Sequence, residues 1–105
     1  MQNTLTFNPL SDYDQKAYAG ASESARIAHR TFPGATVTVV ADDHEDSDAI
    51  TVDIADENGK TLIYGATYNP ETLEAVAKRI NSARTIFEVI YFVSLNSAFT
   101  LSGSL

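Results

Sequence analysis

At 105 residues, 44% of them hydrophobic and with five Phe and five Tyr, the chain has the size and composition of one globular domain around one core. The absence of cysteine excludes disulfides, thiolate metal sites and cysteine nucleophiles. Fourteen acidic against seven basic residues give a net charge of −7, which disfavours direct contact with nucleic acid or anionic lipid and favours basic surfaces.

The opening run Met1-Gln2-Asn3-Thr4-Leu5-Thr6 has neither the basic start nor the apolar stretch of a secretory signal. The most apolar window, Ile86 to Leu95, falls short of the roughly 20 apolar residues that a membrane-spanning helix needs. The cytoplasm is the expected compartment. Residues 1–10 read as an arm or edge strand, because Thr4-Leu5-Thr6-Phe7 alternates before Asn8-Pro9 interrupts it.

Ser11 and Asp14 have the spacing of a capping box and predict a helix start. Tyr13, Ala17, Ala21, Ala25, Ala28 and Phe32 recur at intervals of three and four, which extends the predicted helix to Pro33-Gly34. On that reading Arg26, His29 and Arg30 lie in its last turns, and His29 offsets the helix dipole.

Ala35 to Ala41, rich in valine and threonine, predicts a strand, and Ala49 to Ala55 alternates strictly with Ile50, Val52 and Ile54 on its core side. Asp56-Glu57-Asn58-Gly59 supplies turn residues, and Lys60 to Thr67 returns as a third strand. Asn69-Pro70-Glu71 then combines a cap, a first-turn proline and an early carboxylate. Leu73, Val76, Ile80, Ala83, Phe87 and Ile90 continue at helical spacing, so one long helix to about Leu95 is preferred. The β-branched and aromatic density of residues 85–93 also suits a strand. Apolar residues on more than one face of this segment mean that it is either wholly buried or an interface. Residues 97–105 carry no charge and are expected to fray. The expected fold is a single α+β domain over residues 1–105: an N-terminal helix, a three-stranded antiparallel β-meander and a long C-terminal helix packed on one sheet face.

The most distinctive chemistry is acidic. Asp42, Asp43, Glu45, Asp46, Asp48, Asp53, Asp56 and Glu57 follow one another without an intervening Lys or Arg. They read either as a solvated hairpin or as a surface for a basic partner. The five carboxylates from Asp42 to Asp48, over at most about 23 Å of extended chain, approach the charge spacing of about 3.4 Å along one nucleic-acid strand. Asp42, His44, Asp46 and Asp48 alternate as calcium-loop ligands do, but Ser47 and Asp53 stand where such a loop takes Gly and Glu. Neither His29 nor His44 belongs to a catalytic motif, no serine lies in a nucleophile elbow, and no phosphate loop is present. No catalytic function, metal or cofactor is expected. Tyr13, Tyr18, Tyr64, Tyr68 and Tyr91 read as core-edge residues or as interface anchors.

The run Val52 to Tyr64, followed by Asn69 to Asn81, resembles small proteins of bacteriophages and mobile elements in which a hairpin leads through a capped turn into a helix. Acidic anti-CRISPR inhibitors are the most similar in size, charge and layout. The resemblance implies a non-enzymatic inhibitor in the host bacterial cytoplasm that covers the basic nucleic-acid-binding site of a CRISPR effector subunit. The acidic residues would face the partner, and Tyr64 or Tyr68 would anchor the contact. The alternative is an assembly module that homodimerises through Ile86, Phe87, Ile90 and Phe92.

Overall fold

The computed structural model describes residues 5–18, 21–44, 47–67, 72–96 and 99–102. The chain forms β1 (Asn8–Pro9), α1 (Asp12–Ala17), β2 (Arg26–Phe32), β3 (Ala35–His44), β4 (Ser47–Asp56), β5 (Thr61–Thr67), α2 (Thr72–Ser82), α3 (Ile86–Leu95) and β6 (Thr100–Ser102). The strands make one antiparallel sheet in sequential order, β1 to β6. The three-stranded meander with a long C-terminal helix is therefore corrected to a six-stranded sheet, with two helices inserted between its last two strands.

The N-terminal helix is much shorter than its alanine spacing predicts. Its start is as expected: the Ser11 hydroxyl accepts from the Asp14 amide at 3.1 Å, and the Asp14 carboxylate accepts from the Ser11 amide at 3.3 Å. It ends at Ala17, and Arg26–Phe32 is a strand. In β2, Ala28 and Phe32 point to the buried side while His29 and Thr31 are exposed, a period of two that the alanines conceal because they suit either spacing. Pro33-Gly34 does not stop a helix. It is the two-residue turn between β2 and β3, with Phe32 opposite Ala35 and Gly34 at φ 86°, where a side chain would strain the backbone. His29 accordingly stands on a strand and not in the last turn of a helix.

Cross-strand register assigns the two faces of the sheet. The inner face carries Ala28 and Phe32 of β2, Ala35, Val37 and Val39 of β3, Ile50, Val52 and Ile54 of β4, and Ile63 of β5. These residues pack against Val76 and Ile80 of α2, Ala83, and Val89 and Val93 of α3. Gly65 lets α3 approach the sheet: a Cβ there would lie 3.1 Å from Val93 Cγ1 and 3.2 Å from Leu101 Cδ2.

The predicted continuous C-terminal helix is two helices because a second capping box restarts the chain at Thr85. The Glu88 carboxylate accepts from the Thr85 and Arg84 amides at 3.0 and 2.6 Å, and the Thr85 hydroxyl accepts from the Glu88 amide. The Arg30 guanidinium donates to the Ile80 carbonyl in the last turn of α2 and lies over the Phe32 ring.

The described residues near both ends are held more firmly than the sequence suggests. Leu5 is buried in the core, and its amide donates to Asn81 Oδ1 at 2.8 Å. The edge strand falls on Asn8–Pro9 itself, a place where a residue without an N–H is tolerated. Within the expected frayed tail, Thr100–Ser102 pairs with Tyr64–Ala66 of β5, and Phe99 is buried edge-on to Phe92. Among the described residues, no helix is long and apolar enough to cross a membrane.

Candidate functional site

The acidic residues whose side chains are described, Asp42, Asp53, Asp56 and Glu57, stand in different settings. β3 and β4 run as a paired ladder through the acidic segment, with Asp43 in register with Asp48 and His44 with Ser47. Asp56 closes the opposite end of β4, nine residues from Ser47, a span of about 30 Å at strand rise. Two of the carboxylates are engaged in holding the fold. Asp42 accepts from the Ser22 amide at 3.0 Å and from its hydroxyl, which ties the segment after α1 to β3. Asp56 Oδ1 accepts from the Asn58 and Lys60 amides, both at 2.9 Å, and so shapes the β4–β5 turn. Glu57 is exposed in that turn. Glu45, Asp46 and Tyr68 lie outside the described residues, as do the side chains of Asp43, His44 and Asp48. Among the described residues, no group of three or more His, Asp or Glu side chains is placed to hold a metal.

Asp53 belongs to a different environment, a polar row across the outer face of the sheet. The register aligns His29 of β2, Thr38 of β3, Asp53 of β4 and Tyr64 of β5. His29 Nδ1 and Thr38 Oγ1 are 3.1 Å apart, and Thr38 is buried. Tyr18, from the chain after α1, packs on the small cluster of Leu10, Ala25, Ile27 and Val40 at one end of this face and hydrogen-bonds Thr38. The pairing shifts between Ile54 and Ala55, so that Ala55 faces Thr61 and Leu62 is the extra residue. This bulge turns Thr61 onto the outer face, where its hydroxyl hydrogen-bonds the Asp53 carboxylate. Burial raises the pKa of Asp53 above the ordinary carboxylate value, opposed by that bond. Burial also raises the pKa of Tyr18, and the charge of Asp53 adds to the rise. Asp53 Oδ1 is buried and has no hydrogen-bond partner among the described residues. Tyr64 is 37% exposed beside it.

The third surface is on α3. Ile86, Ile90 and Phe92 of the proposed dimer face are half-buried against the core, so that four-residue set is not one open face. Phe87 is 75% exposed, and the residues that share its stripe at intervals of four are Tyr91, 67% exposed, and Leu95, 64% exposed. With roughly 150–250 Å² per aromatic side chain, Phe87 and Tyr91 alone place about 200–350 Å² in water, and Leu95 extends the patch into the range that commonly marks interaction sites. A cavity of about 450 Å³ opens beside the stripe between α2 and α3, with Arg79, Ala83, Glu88, Tyr91, Phe92 and Leu95 in its lining. The Arg79 guanidinium lies 5.6 Å from the centre of the Phe92 ring. Sequence periodicity identified Phe87 but not Tyr91 and Leu95 as its neighbours. The signal was present in the spacing 87, 91, 95 on a helix whose inward positions are Val89 and Val93.

No family model, curated protein or solved structure matches the chain.

Proposed function

We propose that this chain is a non-enzymatic protein-binding module that docks on a basic partner through the Phe87, Tyr91 and Leu95 face of α3. The observation that carries the reading is the exposure of these three large side chains in one stripe beside a cavity edged by both Arg79 and Glu88. A rigid helix presenting two aromatic anchors loses little entropy on binding, and such side chains dominate interface energies. The net charge of −7 repels a second copy at long range and steers a basic surface inward, which favours a heterologous partner. The resemblance to anti-CRISPR inhibitors suggests one class of partner, the nucleic-acid-binding subunit of a guided defence complex.

The test compares wild type with the triple variant Phe87→Gln, Tyr91→Gln, Leu95→Gln as bait for bacterial lysates that express such complexes, at low and moderate salt. Salt-sensitive recovery of a basic nucleoprotein subunit by wild type, lost in a variant of unchanged melting temperature, supports the reading. Equal recovery by both proteins refutes it. The homodimer reading keeps one supporting observation, the exposure of Phe87. Light scattering that shows a wild-type dimer and a monomeric triple variant would replace the basic partner with a second copy.

A further inference from the structure

We infer that the outer sheet face holds a binding site for an alkylammonium group, with Asp53 Oδ1 as its acceptor and Tyr18 and Tyr64 as its aromatic walls. The site lies on the sheet face opposite α3 and does not depend on the docking reading above.

The inference starts from the unpaired oxygen. A buried carboxylate oxygen without a donor is costly, because desolvation is not offset by a hydrogen bond. Thr61 supplies one hydrogen bond to Asp53, and since Oδ1 has no partner, that bond goes to Oδ2. The row supplies no other donor to Oδ1. Thr38 is engaged with His29 and with Tyr18, and no cation among the described residues bonds Asp53. A ligand N–H is therefore one donor that can complete Oδ1.

Three features define its chemistry. A single free oxygen matches a compact ammonium, which donates at a point, and does not match the forked guanidinium, which takes both oxygens of a carboxylate. Tyr64 is the cross-strand neighbour of Asp53, at a Cβ separation of about 4.5–5.5 Å for such pairs, and Tyr18, bonded to Thr38 on the other side of Asp53, brings a second phenol to the same row. Aromatic faces next to a carboxylate stabilise an alkylammonium by cation–π attraction in addition to the ion pair. The excess of acidic residues also attracts cations over the whole surface. Oδ1 is covered in the free chain, so binding requires a neighbouring side chain to move, and the partly exposed Tyr64 is the cross-strand neighbour. The raised pKa of Asp53 is the expected state of a site waiting for its counter-ion, and a bound ammonium would lower it.

The experiment is an NMR titration of the full chain with n-butylammonium chloride, with sodium chloride at equal ionic strength as the reference. It follows the Asp53 side-chain carboxyl and the Tyr18 and Tyr64 ring signals. Saturable shifts at these three residues, a lower Asp53 pKa with ligand present, and affinity weakened by about tenfold or more in Asp53→Asn support the site. Tyr64→Leu, which leaves the carboxylate in place, should weaken binding while preserving the response of Asp53. A lysine-containing pentapeptide run in parallel identifies the source: tighter binding than butylammonium indicates a partner's lysine, and equal binding indicates a free amine. Shifts no larger than those with sodium chloride, a response unchanged in Asp53→Asn, or stronger binding of n-butylguanidinium would overturn the assignment.

Discussion

Replacing Val93 by alanine tests whether α3 is oriented as described, and with it the separation of a core stripe from a docking stripe. Val93 is fully buried over Gly65, whereas Tyr91, two residues earlier, is two-thirds exposed. Losing two buried carbons removes about 1.6 kcal/mol of transfer free energy at about 0.8 kcal/mol per group. A partly collapsed cavity adds roughly 0.5–1 kcal/mol. The better helix propensity of alanine returns about 0.5 kcal/mol, leaving a net loss of about 1.6–2.1 kcal/mol. At about 2.1 cal/mol/K per residue, a chain of 105 residues has an unfolding entropy of about 0.22 kcal/mol/K, so the melting temperature should fall by about 7–10 °C. Tyr91→Gln should change stability by no more than about 0.5 kcal/mol, or about 2 °C. Thermal unfolding followed by far-UV circular dichroism reads both variants. A loss below about 1 kcal/mol for Val93→Ala, or a loss for Tyr91→Gln as large as that for Val93→Ala, would show that α3 presents a different face to the sheet.

Two further outcomes follow from the polar row and from the helix break. The carboxyl of Asp53 has an ordinary pKa of 3.8 and a higher one in the folded chain, so below about 3.8 it is protonated in both states and has no effect on stability. As pH rises past that value the unfolded chain releases its proton first, and stability is lost until the folded pKa has been passed. Urea unfolding between about pH 3 and pH 8 should therefore show wild type losing stability relative to Asp53→Asn as pH rises, and a difference that stays flat would refute the burial of this carboxylate. Thr85→Ala removes the cap of α3 and should cost about 1 kcal/mol by the same denaturation assay, whereas a neutral result would mean that α2 and α3 do not depend on this capping box for their break.

Several local elements were legible because their chemistry is contained within a few residues. The Ser11–Asp14 box starts α1, the alternation of Ile50, Val52 and Ile54 marks a strand, and the Asp56–Gly59 run turns into the next one. The errors came from patterns that two structures share. Alanines at 17, 21, 25 and 28 satisfy a helical period, yet Gly20, Ser22 and Ser24 in the same sequence are poor helix formers, and a Pro-Gly pair suits a hairpin as well as a helix end. Likewise, the apolar period from Leu73 to Ile90 carried the reading past Thr85-x-x-Glu88, a capping signature of the same kind as the one recognised at Ser11.

Composition and short-range spacing by themselves determined a cysteine-free, acidic α+β chain, the start of its first helix and the central hairpin, because charge, capping and turn preferences act within a few residues. Tertiary structure alone decided the rest. Pairing across the sheet made a strand of Arg26–Phe32 and recruited Thr100–Ser102 to the far edge, since a strand is stabilised by partners distant in sequence. It also set Asp42, Asp53 and Asp56 at separate points along the β3–β4 pair, and the bulge that turned Thr61 toward Asp53 left one oxygen of that carboxylate buried without a donor among the described residues. The orientation of α3 likewise depends on packing: a helix apolar on more than one face must bury one stripe against the sheet, and burying Val89 and Val93 leaves Phe87, Tyr91 and Leu95 in water.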